Sequence, residues 1–148
     1  MGHVARVVRR QRGQSAGGLN ARLFDHVDLR VASLAAAGPF YRTLLPALGF
    51  TLRVDIEGWL QFEAEGEGAT EFFGVTEDVA HVPNRTRLAF WAVSTARVDE
   101  LALLLNEIGA RAIEGPGFEA DNYYAVYFED PSGNRLEIVH RTAKFAAN

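Results

Sequence analysis

The sequence contains no cysteine, which excludes disulfide bonds and thiol chemistry and is compatible with a reducing cytoplasm, the location that we expect. No apolar run approaches the roughly 20 residues that a membrane-spanning helix needs. Lysine is nearly missing, with Lys144 its single occurrence, so arginine carries almost all of the positive charge. The formal net charge is −4, which argues against binding to nucleic acid or to an anionic membrane surface.

What is present is the composition of an ordinary folded domain. Of the 148 residues, 48% are hydrophobic and 23% are charged, which is enough to build one substantial core. The dominance of arginine and alanine suggests a GC-rich coding sequence and a bacterial source. Residues 1–21 differ, because four arginines stand among glycine, glutamine and serine, with no apolar stretch long enough for a signal peptide. They predict a flexible tail, with a basic arm that touches a partner as the alternative. The folded domain is expected over residues 22–148.

The first half of the domain predicts a strand, a helix and three strands. Residues 24–31 alternate between polar and apolar side chains, which is typical of a half-buried strand. Ser33 then suits the N-cap of a helix that ends at Gly49. Three further strands are predicted, over residues 50–56, 59–64 and 69–75.

The second half repeats this order. A strand is predicted over residues 86–93, followed by a helix capped by Thr95 and ended by Gly109. The last three strands are predicted over residues 111–114, 123–128 and 135–140. The chain therefore predicts an α+β fold of tandem βαβββ modules, at about residues 22–76 and 85–141, that form an open, barrel-like mixed sheet with a central cleft.

The alternation of side chains gives each sheet one face for its own helix and one free face. Superposing the two halves places His26 on Arg87 and Glu71 on Glu137, and assigns all four to the free faces, where they would converge. Buried carboxylates need a metal, a pairing partner or a ligand. The same parity is predicted for further candidate substrate-binding residues, which are Trp59, Gln61, Phe73, Trp91, Tyr123 and Tyr127. These side chains alternatively belong to the core.

Several sequence motifs support a family assignment. They are Phe-Asp-His-Val at residues 24–27, Phe-Tyr at 40–41 followed by Leu-Gly-Phe at 48–50, and Phe-Glu-Asp-Pro-Ser-Gly-Asn-Arg-Leu-Glu at 128–137. With the repeated module, they resemble the vicinal oxygen chelate superfamily, which includes glyoxalases, bleomycin-resistance proteins and extradiol dioxygenases. The resemblance covers about residues 23–141, and it implies the glyoxalase-like fold.

The resemblance implies a divalent metal held by the first and last strands of each module. Its ligands here would be His26, Glu71 and Glu137, and nitrogen and oxygen donors suit Zn, Ni, Fe, Mn or Co. The metal would polarise adjacent oxygens of a small substrate. In the glyoxalase branch a metal-bound carboxylate moves a proton, so Glu71 and Glu137 are the candidate catalytic residues.

Arg87 departs from the family pattern, because it occupies the position where a second histidine is usual. A guanidinium has no lone pair to donate, and its charge repels a cation, so it weakens the predicted metal site. Arg87 could instead pair with Glu71 or Glu137, or bind a carboxylate or phosphate of a ligand.

Three functions remain open after the sequence is considered. The first is a metal-assisted lyase or isomerase similar to glyoxalase I. The second is a protein that sequesters an antibiotic-type small molecule, and the third is a metal-free descendant that binds an anion through Arg87. Extradiol dioxygenation is disfavoured, because its iron site requires two histidines and a carboxylate. A homodimer is expected, because open sheets leave edges and apolar surface to cover, and because the superfamily is commonly dimeric.

Overall fold

The structure, a computed structural model, describes residues 22–143, so the predicted N-terminal tail lies outside the described residues. The elements of the first module are β1 (His26–Val31), α1 (Leu34–Leu48), β2 (Leu52–Ile56), β3 (Trp59–Glu63) and β4 (Phe72–Glu77). Those of the second are β5 (Arg87–Trp91), α2 (Thr95–Ile108), β6 (Arg111–Ala120), β7 (Tyr123–Glu129) and β8 (Arg135–Arg141). The predicted α+β fold of two βαβββ modules is confirmed.

The strands form two separate mixed sheets of four strands each. The first sheet has the order β1-β4-β3-β2 and the second the order β5-β8-β7-β6. In each sheet the first and last strands of the module are parallel neighbours, and the other pairs are antiparallel. The sheets do not close into one barrel within the described part of the chain. Neither helix of this part is long and apolar enough to cross a membrane.

The helix ends follow the capping rules, with one correction. Ser33 accepts a hydrogen bond from the backbone N–H of Ala36, and Gly49 ends α1 at a left-handed φ of 112°. The cap of α2 is Ser94 and not Thr95, because the hydroxyl of Ser94 accepts from the N–H of Arg97. Thr95 is already the first helical residue.

Strand β4 begins three residues later than predicted. The turn before it extends as far as Glu71, whose carbonyl accepts a hydrogen bond from the N–H of Ala64. The hydroxyl of Thr70 also donates to the carbonyl of Ala64, at 2.6 Å. These bonds hold residues 64–71 as a turn, so the strand starts only at Phe72.

The helix-facing sides of both sheets share one apolar core. Phe73 is 2% exposed, and its ring centroid lies 5.3 Å from that of Phe90 in the second module. It also lies 6.1 Å from Tyr41 and 6.2 Å from Phe50. The prediction that Phe73 faces the cleft is therefore wrong: with β4 shifted, Phe73 points towards α1 and Phe72 takes the free face.

A buried turn at residues 130–134 ties the two modules together. The carboxylate of Asp130 is fully buried and accepts hydrogen bonds from the N–H groups of Ser132 and Asn134. Tyr41 of α1 donates its hydroxyl to the same carboxylate at 2.5 Å. The amide of Asn134 donates to the carbonyl of Arg30 at the end of β1. We call this arrangement the Asp130 clasp, since it joins the second module to α1 and β1 of the first.

The clasp predicts that Tyr41→Phe destabilises the fold. The change leaves a buried carboxylate short of one donor, which costs about 1–3 kcal/mol and lowers the midpoint of thermal unfolding by several degrees. Burial, together with Asp130, raises the pKa of Tyr41 well above 10. The native chain should accordingly keep this contribution below about pH 10 and lose it as the pH rises through the raised pKa.

Tyr124→Phe is the matched control. Tyr124 also donates its hydroxyl to an aspartate, Asp99, at 2.5 Å, but at the exposed surface. Chemical denaturation of both variants should therefore separate them, with little change for Tyr124→Phe. Equal losses of stability in the two variants would contradict the role given to the clasp.

Candidate functional site

The free face of the first sheet is formed by three rows of side chains that run across the strands. In each row a β4 residue lies between a β1 and a β3 residue, and the rows are His26-Phe72-Glu63, Asp28-Gly74-Gln61 and Arg30-Thr76-Trp59. A cavity of about 280 Å³ opens on this face. Its lining is His26, Asp28, Arg30, Trp59, Gln61, Phe72, Gly74 and Thr76. All of these belong to the first module.

The side chains around this cavity hold one another in place. The ring of His26 stacks on that of Phe72, with centroids 4.4 Å apart and planes 4° apart. Nδ1 of His26 lies 2.7 Å from a carboxylate oxygen of Asp25. Asp28 pairs with Arg30 at 3.1 Å and accepts a hydrogen bond from Thr76 at 2.8 Å. The cavity is therefore lined by an aromatic pair and by polar groups that already have partners.

The free face of the second sheet holds Glu137 beneath two tyrosines. Glu137 is 5% exposed, and Tyr123 donates its hydroxyl to the carboxylate. Burial and Glu137 raise the pKa of Tyr123, so this phenol stays protonated and remains a donor at neutral pH. Tyr127 lies opposite Glu137 on the neighbouring strand, and its pKa is also raised, first by burial and then by Glu137.

Arg87 lies over the ring of Tyr127, with its guanidinium carbon 4.7 Å from the ring centroid. It is exposed, as is Arg135, its partner across the parallel β5–β8 pair. The predicted pairing of Arg87 with Glu71 or Glu137 is not what the structure has. Glu137 is bound by Tyr123, and Glu71 lies 3.6 Å from the guanidinium of Arg22.

Glu71 lies outside the first-sheet cavity. It precedes β4 and lines a second, larger groove of about 580 Å³ between the modules, together with Phe73, Phe90 and Trp91. Trp91 is 57% exposed, and its ring lies 5.3 Å from that of His140. Of the predicted site residues, His26, Trp59 and Gln61 lie on the free face of the first sheet, and Arg87, Tyr123, Tyr127 and Glu137 lie on that of the second. His26 also lines the groove between the modules, together with Glu71, Phe73 and Trp91.

Strand register identifies which positions of the two modules correspond. In the first sheet His26 pairs with Phe72, and two residues further along Asp28 pairs with Gly74. In the second sheet Arg87 pairs with Arg135, and two residues further along Ala89 pairs with Glu137. Both β1 and β5 begin seven residues before the serine that caps the next helix. Gly74, and not Glu71, is therefore the counterpart of Glu137, and the superposition made from the sequence is wrong by three residues.

Comparison with known proteins identifies the fold and the family. A family model described as Glyoxalase/Bleomycin resistance protein/Dioxygenase superfamily matches residues 23–138. This chain belongs to that superfamily. No curated protein matches the sequence.

Solved structures of other proteins are similar over most of the chain. A glyoxalase/bleomycin resistance protein from Albidiferax ferrireducens shares 25% identity at a TM-score of 0.67, covering 81% of this chain and 100% of its own. A putative glyoxalase from Bacillus halodurans shares 26% identity at a TM-score of 0.67, covering 80% and 96%. The fosfomycin resistance protein FosX from Listeria monocytogenes shares 17% identity at a TM-score of 0.60, covering 84% and 94%, which shows a common fold.

Superfamily members commonly bind divalent metals, but the residues of this chain do not fit such a site. The four corresponding positions hold His26, Gly74, Arg87 and Glu137, of which only His26 and Glu137 can donate to a metal. Within residues 22–143, no three His, Asp or Glu side chains are grouped so that they could hold an ion. Two donors are one fewer than the three protein ligands of catalytic zinc sites.

Sequence reasoning missed Phe72, Gly74 and Arg135 as residues of these faces. For Phe72 and Gly74 the error came from the start of β4, because a shift in register by an odd number of residues exchanges the two faces of a strand. The signal that could have corrected it is the apolar pair Phe73 and Val75, which matches Leu136 and Ile138 two residues apart on the helix-facing side.

We predict that the affinity for a divalent metal rises when ligand side chains are introduced at positions 87 and 74. The native chain, purified without chelator, should hold little metal, and Arg87→His should add a third donor and modest affinity. Gly74→Glu together with Arg87→His should bind markedly more tightly, because both lost positions then carry ligands. Titration with Zn²⁺ and Ni²⁺, followed calorimetrically, measures this. Tight binding by the native chain, unchanged in either variant, would refute the assignment of these positions.

Proposed function

We propose that this protein binds a small anionic molecule without a metal ion, in a cleft formed by the free faces of the two sheets. The observation that carries the proposal is the pair of exposed arginines on the second sheet, with Arg87 placed over the ring of Tyr127. The arginine pair best supports the sequestration of a small molecule. This is the non-catalytic binding function that the sequence left open as an alternative.

The arginine pair has the chemistry of an anion site. Arg87 and Arg135 are neighbours on adjacent strands, and like charges in such positions destabilise a sheet unless something balances them. Glu129 lies opposite Arg135 on β7 in the strand register. A guanidinium that lies over an aromatic ring is stabilised by the cation–π interaction, and its N–H groups suit two oxygens of a carboxylate or phosphate.

The comparisons are consistent with a ligand of the antibiotic kind. The descriptions of similar structures refer to bleomycin resistance and, for FosX, to fosfomycin resistance. These descriptions belong to those proteins, and for this chain they support a small-molecule ligand. The lack of cysteine is compatible with a cytoplasmic location, which stays a prediction.

A metal-assisted lyase or isomerase similar to glyoxalase I is the second candidate function. It is favoured by Glu137, a buried carboxylate that accepts a hydrogen bond from Tyr123 and is placed to take up or release a proton. It is disfavoured by Gly74 and Arg87, which supply no ligand at two of the four metal positions.

We also propose that the cleft is shared between two copies of the chain. The first-sheet cavity has lining from the first module alone, so Arg87 and Glu137 do not reach it within one chain. Large apolar side chains stay exposed on both free faces, including Leu52 at 56%, Ile56 at 39% and Trp91 at 57%. A twofold dimer that sets each first sheet against the partner's second sheet covers these residues and completes two clefts.

Arg87 should be required for anion binding. Arg87→Gln is expected to weaken binding of benzoate or inorganic phosphate about ten-fold, in buffer containing EDTA, because it removes a charge-assisted pair of hydrogen bonds. Isothermal titration calorimetry measures the affinities. Arg53→Gln is the control, since Arg53 pairs with Asp55 on the opposite side of the sheet and should leave binding unchanged. Binding that EDTA abolishes and Arg87→Gln leaves intact would contradict the proposal and favour the enzyme.

Mixing two defective chains should test the shared cleft. Trp59→Ala damages the first sheet and Arg87→Gln the second, so each variant alone should bind weakly. In a mixed dimer, one cleft combines the intact first sheet of one chain with the intact second sheet of the other. Refolding the two variants together should therefore restore a fraction of sites with native affinity. A mixture that binds no better than its components would place the whole site within one chain.

A further inference from the structure

We infer that the first-sheet cavity holds a flat ring, which lies on the backbone of Gly74 between Phe72 and Trp59. The ligand class is a small aromatic or heteroaromatic compound. This inference rests on the proposed function, because it concerns the same cleft. The arginines would bind the anionic group of the ligand, and the first-sheet cavity would bind its ring.

Gly74 is not required by the fold. Its backbone φ lies outside the left-handed region that favours glycine. A Cβ added at this position would have as its nearest atoms the carbonyl oxygens of Val27 at 3.6 Å and Leu60 at 3.9 Å, which are ordinary contacts. A glycine within a strand costs stability and commonly marks a place where something approaches the backbone closely. Here that place is the floor of a cavity.

The cavity floor is the row formed by Asp28, Gly74 and Gln61, and rows on either side are its walls. Phe72 and Thr76 flank Gly74 along β4, so their Cα atoms are about 13 Å apart by the rise of a strand. The Phe72 wall is a flat surface, because His26 stacks on it at 4.4 Å with parallel planes.

Trp59 forms the opposite wall, beside Thr76. It is 38% exposed although it lines the cavity, so part of its ring is available for contact. Aromatic side chains bind rings by stacking or by edge-to-face contact, which a saturated ring of the same size does not reproduce. A cavity volume of about 280 Å³ accommodates a monocyclic or bicyclic ring system and little more.

Polar groups at the two ends of the floor fit the rim of such a ring. Gln61, next to Gly74, donates its amide to Glu63 at 3.0 Å, which orients it. Asp28, on the other side of Gly74, is held by Thr76 and Arg30. An anionic substituent on the ring would project from the cavity, towards the arginines that the proposed dimer sets opposite.

The test compares benzoate with cyclohexanecarboxylate, which has the same charge and nearly the same size without the flat aromatic ring. The native chain should bind benzoate about five-fold more tightly, a preference within the range of aromatic pair energies. Gly74→Ala places a methyl group on the cavity floor and should remove this preference while the protein stays folded. Trp59→Leu should also remove it, and Trp59→Phe should retain most of it.

Two controls separate a lost ring site from a lost fold. Gly117→Ala replaces another strand glycine with nothing within 4 Å of an added Cβ, and its thermal unfolding provides the reference for Gly74→Ala. Leu103→Ala truncates an exposed side chain on α2 and should leave the preference unchanged.

The outcomes distinguish this inference from the proposed function. Equal binding of the two probes, unaffected by Gly74→Ala but weakened by Arg87→Gln, overturns the ring site and leaves the anion site in place. No binding of either probe to the native chain overturns both. A preference for benzoate that Gly74→Ala removes supports the ring site.

Discussion

The carboxylate of Asp130 lies out of contact with solvent, and its hydrogen bonds come from two modules of the chain. A charge in that position is costly unless every oxygen is paired, and here backbone N–H groups, Asn134 and the hydroxyl of Tyr41 satisfy it. The pairing fixes α1 and the end of β1 against the turn before β8. The relative placement of the two sheets, and so the direction in which each free face points, depends on this contact.

Most of the fold could be predicted from the sequence, but the residues of the candidate site on β4 could not. The module order, the helix ends at Ser33, Gly49 and Gly109, and the inward side of most strands follow from local patterns that side-chain burial enforces. The start of β4 did not follow, because the turn before it is set by hydrogen bonds of Thr70 and Glu71 that composition does not reveal. The face of a strand reverses with each single-residue shift, so this local error misplaced Glu71 and Phe73.

The corrected register changes the chemistry expected of the site. The sequence predicted that one of the four metal-binding positions is an arginine, whereas the strand register shows that a second position is a glycine, so two of the four carry no metal ligand. The two replacements differ in what they provide. Arg87 brings a fixed positive charge, and Gly74 brings space. Both replacements support the proposal of an organic anion rather than a metal ion as the ligand, and Glu137 remains on the second sheet, where it accepts a hydrogen bond from Tyr123.

The separation of the clasp from the free faces has a consequence for how this protein can change. The contacts that hold the modules together lie on the helix-facing sides of the sheets and at the turn that contains Asp130. The residues that line the cavity contribute little to these contacts. At Gly74, for example, an added Cβ would make only ordinary van der Waals contacts. Substitutions in the lining should therefore cost little stability, so new ligand preferences are accessible by single steps. A scaffold of this kind is evolvable: its recognition surface can diversify while its architecture stays the same.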